Sequence, residues 1–150
     1  KTAFGYYTPD KETLFCKQLL RNENEVIGYE TGLSALNRIG LVSQMPQKRC
    51  IATNLHMKRI PKGMQIEIRK PPIRVNADNF RYLQILDAIR ELDMAPVDTA
   101  KPVDVVRATV QKFALETDQM ILMARKYYGQ KTLVRTIDIM LEGSYESARG

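Results

Sequence analysis

The run Tyr29-Glu30-Thr31-Gly32-Leu33-Ser34-Ala35-Leu36-Asn37-Arg38-Ile39-Gly40-Leu41-Val42-Ser43-Gln44-Met45-Pro46-Gln47-Lys48 decides the fold class of this 150-residue chain. Leu33, Leu36 and Ile39 recur every three residues, which predicts a short amphipathic helix over about 32–39 with those side chains on one side. Gly40 follows at the position where a left-handed residue closes a helix, and Leu41 is placed to fold back on the last turn. Gln44-Met45-Pro46 then makes a turn, because a proline biases its predecessor away from helix. Lys48 opens a strongly basic stretch with strand character, so helix and sheet alternate within one short span.

Reading downstream, Arg49-Cys50-Ile51-Ala52-Thr53-Asn54 is a strand candidate and Ile60-Pro61-Lys62-Gly63 a turn. Met64-Gln65-Ile66-Glu67-Ile68-Arg69 alternates apolar and polar side chains at period two, as a half-buried strand requires. Pro71-Pro72 ends it, and Ile73-Arg74-Val75 is expected as a short edge strand, since a proline pair cannot continue a central ladder. Together these predict a small antiparallel sheet over about 48–75 with one wet, cationic face. The expectation is that no acid lies on the strands flanking Glu67.

Upstream, Thr8 can cap a helix, Pro9 suits its first position, and Asp10 and Glu12 favour its positive end. That helix should reach about Arg21 and stop at Asn22-Glu23-Asn24, with 26–29 as a short strand. After Asn76 the pattern is helical. Phe80, Leu83, Leu86, Ile89 and Leu92 form one stripe, with Ile85 alongside. A second helix, about 102–115, carries Val103, Val106, Val110 and Phe113, and a third spans about 118–128. The last, about 131–142, should turn Leu133, Val134, Ile137 and Met140 inward and fray from Gly143 onward. The fold class expected is α+β: a small antiparallel sheet packed with helices, followed by a helical C-terminal half. One domain over 1–150 is expected, with an α/β part at 1–75 and a helical part at 76–150.

With 44% hydrophobic and 27% charged residues, the chain can bury one sizeable core. No run approaches the length of a membrane span, and Lys1–Tyr7 lacks the apolar stretch of a secretory signal, so a cytoplasmic protein without a membrane partner is expected. The absence of an initiator Met and a start in mid-pattern suggest a piece of a longer protein. Cys16 and Cys50 are too few for a metal cluster or a disulfide framework and read as buried small hydrophobes.

Catalytic chemistry finds little footing. His56 stands alone, which denies both a zinc site its paired ligands and Ser34 a partner base; Gly-Leu-Ser-Ala-Leu also lacks the second glycine of a nucleophile elbow. Glu67-Ile68-Arg69 faintly echoes the Glu-x-Lys strand of metal-dependent nucleases without the carboxylates that would hold the cation. No glycine loop of the phosphate-cradling type occurs. Tyr6, Tyr7 and Tyr29 show no alternation with basic residues, and Tyr127-Tyr128 reads as helix packing. No catalytic residue, metal or cofactor is expected.

Charge is the stronger lead. Residues 46–75 hold eight basic side chains (Lys48, Arg49, Lys58, Arg59, Lys62, Arg69, Lys70 and Arg74) against one acid, Glu67; the rest of the chain holds fifteen against sixteen, so the net charge of +6 belongs to this segment. Such a patch attracts phosphate backbones or an acidic protein surface, or serves as a plain solvated face; charge fixes the sign of a partner and leaves its identity open.

The wording Gly-x-x-Ala-Leu-Asn-x-Ile-Gly-Leu-x-x-Gln-x-Pro, carried by Gly32, Ala35, Leu36, Asn37, Gly40, Leu41, Gln44 and Pro46 and followed by Lys48, resembles the AbiEi-like antitoxins of type IV toxin–antitoxin systems. The likeness covers about 6–75. It implies a transcriptional regulator whose N-terminal winged helix–turn–helix precedes this chain, which would then be the C-terminal domain. By that resemblance its partners are DNA, through autorepression, and a cognate nucleotidyltransferase toxin that it counteracts. Without the resemblance, the residues support a non-enzymatic nucleic-acid-binding accessory domain acting through 46–75.

Overall fold

A computed structural model of the chain describes residues 11–56, 59–92 and 94–149, with side chains as far as Leu141. The expected cap at Thr8, Pro9 and Asp10 lies outside the described residues. Helix α1, Lys11–Leu20, buries Cys16 and Leu19. It runs into a tight hairpin of β1, Arg21–Asn22, and β2, Glu25–Val26, with Glu23 at φ 56 in the turn. Strand β3, Gly28–Thr31, leads directly into helix α2, Gly32–Ile39.

The end of α2 follows the expected pattern. Gly40 adopts φ 93, and Leu41 N–H returns to the Leu36 carbonyl at 2.8 Å. Its inward face differs from the expected stripe, because Leu33 is exposed while Ser34, Ala35 and Leu36 are buried. The reason is polar: the Ser34 hydroxyl donates to the Thr31 carbonyl and accepts from Cys50 N–H at 2.9 Å, pinning the helix to the sheet by that side. Asn37 Nδ2 then donates to the carbonyls of Val42, Ser43 and Gln44, which shapes the turn before Pro46.

Strands β4, Arg49–Thr53, and β5, Ile66–Arg69, complete a three-stranded sheet in the order β3-β4-β5. Its pairing corrects the expected one. β3 is antiparallel to β4, but β5 runs parallel to it, so the sheet is mixed and begins at Gly28. Residues 73–75 form no strand. Asn54 takes the place of a strand partner, donating to the Val75 carbonyl and accepting from Val75 N–H at 2.9 and 2.8 Å.

The registers sort the side chains into two faces, both covered over β3 and β4, so the expected wet face is reduced to the edge strand β5, where Glu67 is exposed and Arg69 half-buried. Ile51 and Ile66 pack with Cys16 and Leu19 on the α1 side. The other face, with Tyr29, Thr31 and Ala52, meets helix α3, Phe80–Glu91. There the buried Asp87 carboxylate accepts from Tyr29 Oη at 2.8 Å and Thr31 Oγ1 at 2.7 Å. Tyr128 Oη donates to the same carboxylate at 2.5 Å.

Helices α4, Pro102–Lys112, α5, Thr117–Tyr127, and α6, Gln130–Arg149, build the second half. This is an α+β fold with a helical C-terminal half. Helix α6 continues past Gly143, where fraying was expected. Its buried side is Thr132, Thr136, Ile139 and Met140, and Val134 is exposed. Thr136 Oγ1 donates to the Thr132 carbonyl, which lets a hydroxyl enter the interior satisfied. One apolar cluster joins Leu36, Leu41 and Ala52 to Leu83, Ile89, Val106, Met120 and Ile139. No helix among the described residues is long and apolar enough to cross a membrane.

Candidate anion-binding surfaces

The basic segment is divided by the fold. Arg49 opens β4 on the α1 side and reaches Glu30 of β3 at 3.2 Å. Arg69 closes β5 on the opposite face and is held by Glu67 at 2.8 Å and by Glu91 of α3 at 3.3 Å. Among the described residues, two of the segment's cations are thus met internally by carboxylates; β4, the strand beside Glu67, carries no acid, as expected, and Glu30 lies one strand further on, in β3. These carboxylates serve arginines, and no group of three or more His, Cys, Asp and Glu suited to a metal ion occurs among the described residues.

Where β4 and β5 end side by side, Arg69, Lys70 and Arg74 come together with His56 around an open cleft of about 380 Å³. Pro71, Pro72 and Ile73 form its apolar wall. Lys70 and Arg74 are exposed, so their charge faces solvent. Lys48, Arg59 and Lys62 are exposed elsewhere on the surface and do not line this cleft; Lys58 lies outside the described residues.

A second basic feature escaped the sequence. Glu30 is only 7% exposed, yet it receives both Arg38 Nε at 2.5 Å and Arg49 Nη2 at 3.2 Å on one oxygen. Around them Arg21 and Arg81 complete the wall of a cleft of about 290 Å³. It adjoins another of about 360 Å³ through the shared residues Arg38, Arg81 and Gln84, with Lys112 at the far side. Arg81 is stacked on Phe80 and Phe113, its guanidinium carbon 4.7 and 4.1 Å from the ring centres. It also donates to Gln84, whose amide in turn donates to the Glu30 carbonyl. Arg21, Arg38 and Arg81 stand sixty residues apart at the extremes, and only the turn of α2 and the hairpin bring them to one place. The sequence signal was slight: Arg38 occupies the variable position of Asn-x-Ile, on the outer side of its helix.

The electrostatics of this groove follow from burial and crowding. Burial, helped by the like charge of Arg21, lowers the Arg81 pKa from its ordinary value. Burial acts the same way on Arg49, but the hydrogen bond and charge of Glu30 outweigh it and raise that pKa. Arg49 Nε is buried without an acceptor among the described residues. Cys16 and Cys50 are both buried and free, and burial pushes their thiols up, away from the reactive thiolate.

The motif positions have structural surroundings. Ala35, Leu36 and Leu41 are buried, Gly32 and Gly40 hold positive φ, Asn37 ties the following loop, and Gln44 and Pro46 lie in that loop. No family model, curated protein or solved structure matches this chain.

Proposed function

We propose that this chain is the C-terminal, partner-facing domain of an antitoxin-type transcriptional regulator. It acts without enzymatic chemistry, supports DNA-bound autorepression and neutralises a cognate nucleotidyltransferase toxin. The observation that carries the DNA-facing part is the meeting of Arg69, Lys70, Arg74 and His56 at one open cleft. Lys70 and Arg74, the exposed cations gathered there, suit phosphate oxygens. The antitoxin part rests on the resemblance of Gly32 to Pro46, whose side chains build the turn that delivers β4.

Two measurements test it. Co-expression of the full-length protein with the nucleotidyltransferase encoded beside it should relieve growth arrest; persistent arrest ends the antitoxin reading. Operator binding should weaken with salt, and charge reversal of Lys70 and Arg74 should flatten the log–log salt slope by about two units, one for each phosphate no longer neutralised. An unchanged slope removes this cleft from the interface. If DNA binds and arrest persists, the domain is a nucleic-acid-binding accessory module, the reading that the clustered cations favour without help from the motif.

A further inference from the structure

We infer that the groove around Glu30 is a binding site for a terminal phosphate group, separate from the cleft assigned to DNA. Four arginines, Arg21, Arg38, Arg49 and Arg81, line it together with one carboxylate, which leaves three positive charges. Among the described residues, Arg21 and Arg81 have no carboxylate partner. A plain surface ion-pair network balances its charges; this one carries an excess in a concave place walled on its apolar side by Leu20, Val26 and Phe80.

The cations are all arginine, whose planar fork suits two-point recognition of phosphate oxygens better than a lysine point charge does. Glu30 has a positioning role. Buried and fixed through its own strand, it draws the Arg38 and Arg49 guanidiniums to a common oxygen at 2.5 and 3.2 Å and so holds them side by side. The paired rings of Phe80 and Phe113 do the same for Arg81. Ligand binding therefore immobilises few side chains, because three of the four are already placed.

The charge balance selects the ligand class. A phosphate monoester concentrates between one and a half and two negative charges on one group at neutral pH, which the three-charge excess of this compact cleft can fully neutralise. A phosphodiester backbone spreads single charges along a strand and fits an open surface better. The volume, about 290 Å³, lies at the small end of the range for ligand pockets. It admits a phosphate with part of the group that bears it. A nucleoside diphosphate and the 5′-phosphorylated end of a nucleic-acid strand both present this chemistry.

The test titrates the whole chain by calorimetry with inorganic phosphate, with a nucleoside diphosphate, and with one oligonucleotide in 5′-phosphorylated and 5′-hydroxyl forms. Saturable binding of the diphosphate points to a free nucleotide as source, and preference for the 5′-phosphorylated oligonucleotide points to a strand end; either supports the site. The Arg21→Glu/Arg38→Glu variant changes two exposed side chains, and circular dichroism verifies its fold. It should lose about tenfold or more in affinity, the size expected for losing charge-assisted hydrogen bonds. Glu30→Gln keeps an acceptor for Arg38 and Arg49 while removing the opposing charge, and should tighten binding. Lys70→Glu/Arg74→Glu, in the other cleft, should leave phosphate binding unchanged, so the two sites fail or stand separately. The inference is overturned if the diphosphate does not bind at millimolar concentration and the two oligonucleotide forms bind alike. It is equally overturned if the arginine reversals leave affinity unchanged.

Discussion

Gly32 and Gly40 bracket the same short helix, and their surroundings make them unequal. At Gly32, φ is +62 and an added Cβ would come within 2.9 Å of Cys50 Sγ and 3.0 Å of Cys50 Cβ. At Gly40, φ is +93 but the nearest atom, Val105 Cγ1, stands 3.9 Å away. Gly40→Ala therefore meets only the left-handed backbone penalty, about 1 kcal/mol. Gly32→Ala meets that penalty and a clash with a buried thiol on the central strand, and should cost roughly 2–4 kcal/mol. Urea denaturation of the two variants checks the order; equal losses would show that Cys50 moves aside freely. Arg38, near the end of this helix, illustrates why a residue of a candidate site can hide in plain sight. Its side chain is 60% exposed and its head group touches the buried Glu30 carboxylate of the preceding strand β3, a pairing that no local spacing announces.

At the level of elements, the helices were legible because apolar period speaks for burial directly: Leu83, Leu86, Ile89 and Leu92 are all buried as their spacing required. Strand existence was also legible at β4 and β5. Strand direction was not. A tight hairpin forces antiparallel pairing, whereas a longer connection permits a parallel partner, and residues 54–65 supply that longer return. The supposed edge strand at 73–75 failed for a different reason. Asn54 gives Val75 both hydrogen bonds of a ladder step from a side chain, so the pattern of a strand is present without a strand. Asn54→Ala should strand both polar groups of a buried residue and cost about 1–3 kcal/mol. Asn54→Asp, which keeps the acceptor for Val75 N–H and loses the donor, should fall between it and the wild type in the same urea series. Of the candidate site, charge density found Arg69, Lys70 and Arg74 because they are close in sequence. It gave equal weight to Arg49, which the fold sends to another face, and none to Arg21 and Arg81, which the fold brings in from a hairpin and a helix start.

On the scale of the whole molecule, Asp87 fastens the sheet to the helical half. Its carboxylate accepts from Tyr29 and Thr31 of β3 on one side and from Tyr128, just beyond α5, on the other. Burial first, and the neighbouring Asp87 charge second, push the Tyr29 and Tyr128 hydroxyls well above their ordinary value. The folded state therefore holds these two protons more tightly than the unfolded chain, where tyrosine ionises near 10. Their contribution to stability is complete below about pH 10 and is lost as the pH rises above it, each tyrosine removing roughly 1.4 kcal/mol per pH unit until its folded-state value is reached. Because Tyr29, Asp87 and Tyr128 belong to different elements, ionisation of the two tyrosines should release sheet and helices in one transition. The expected outcome is a single alkaline unfolding step in which loss of helical dichroism coincides with that part of the tyrosine-ionisation absorbance change which Tyr29→Phe/Tyr128→Phe lacks, since the chain holds seven tyrosines in all. In Tyr29→Phe/Tyr128→Phe the neutral-pH stability should fall, because buried Asp87 loses two donors, while the dependence on pH above 10 becomes shallower. A double variant with an equally steep alkaline transition would place the titrating groups elsewhere, and helices that outlast the Tyr29 and Tyr128 part of the signal would mean that Asp87 does not join the two halves into one cooperative unit.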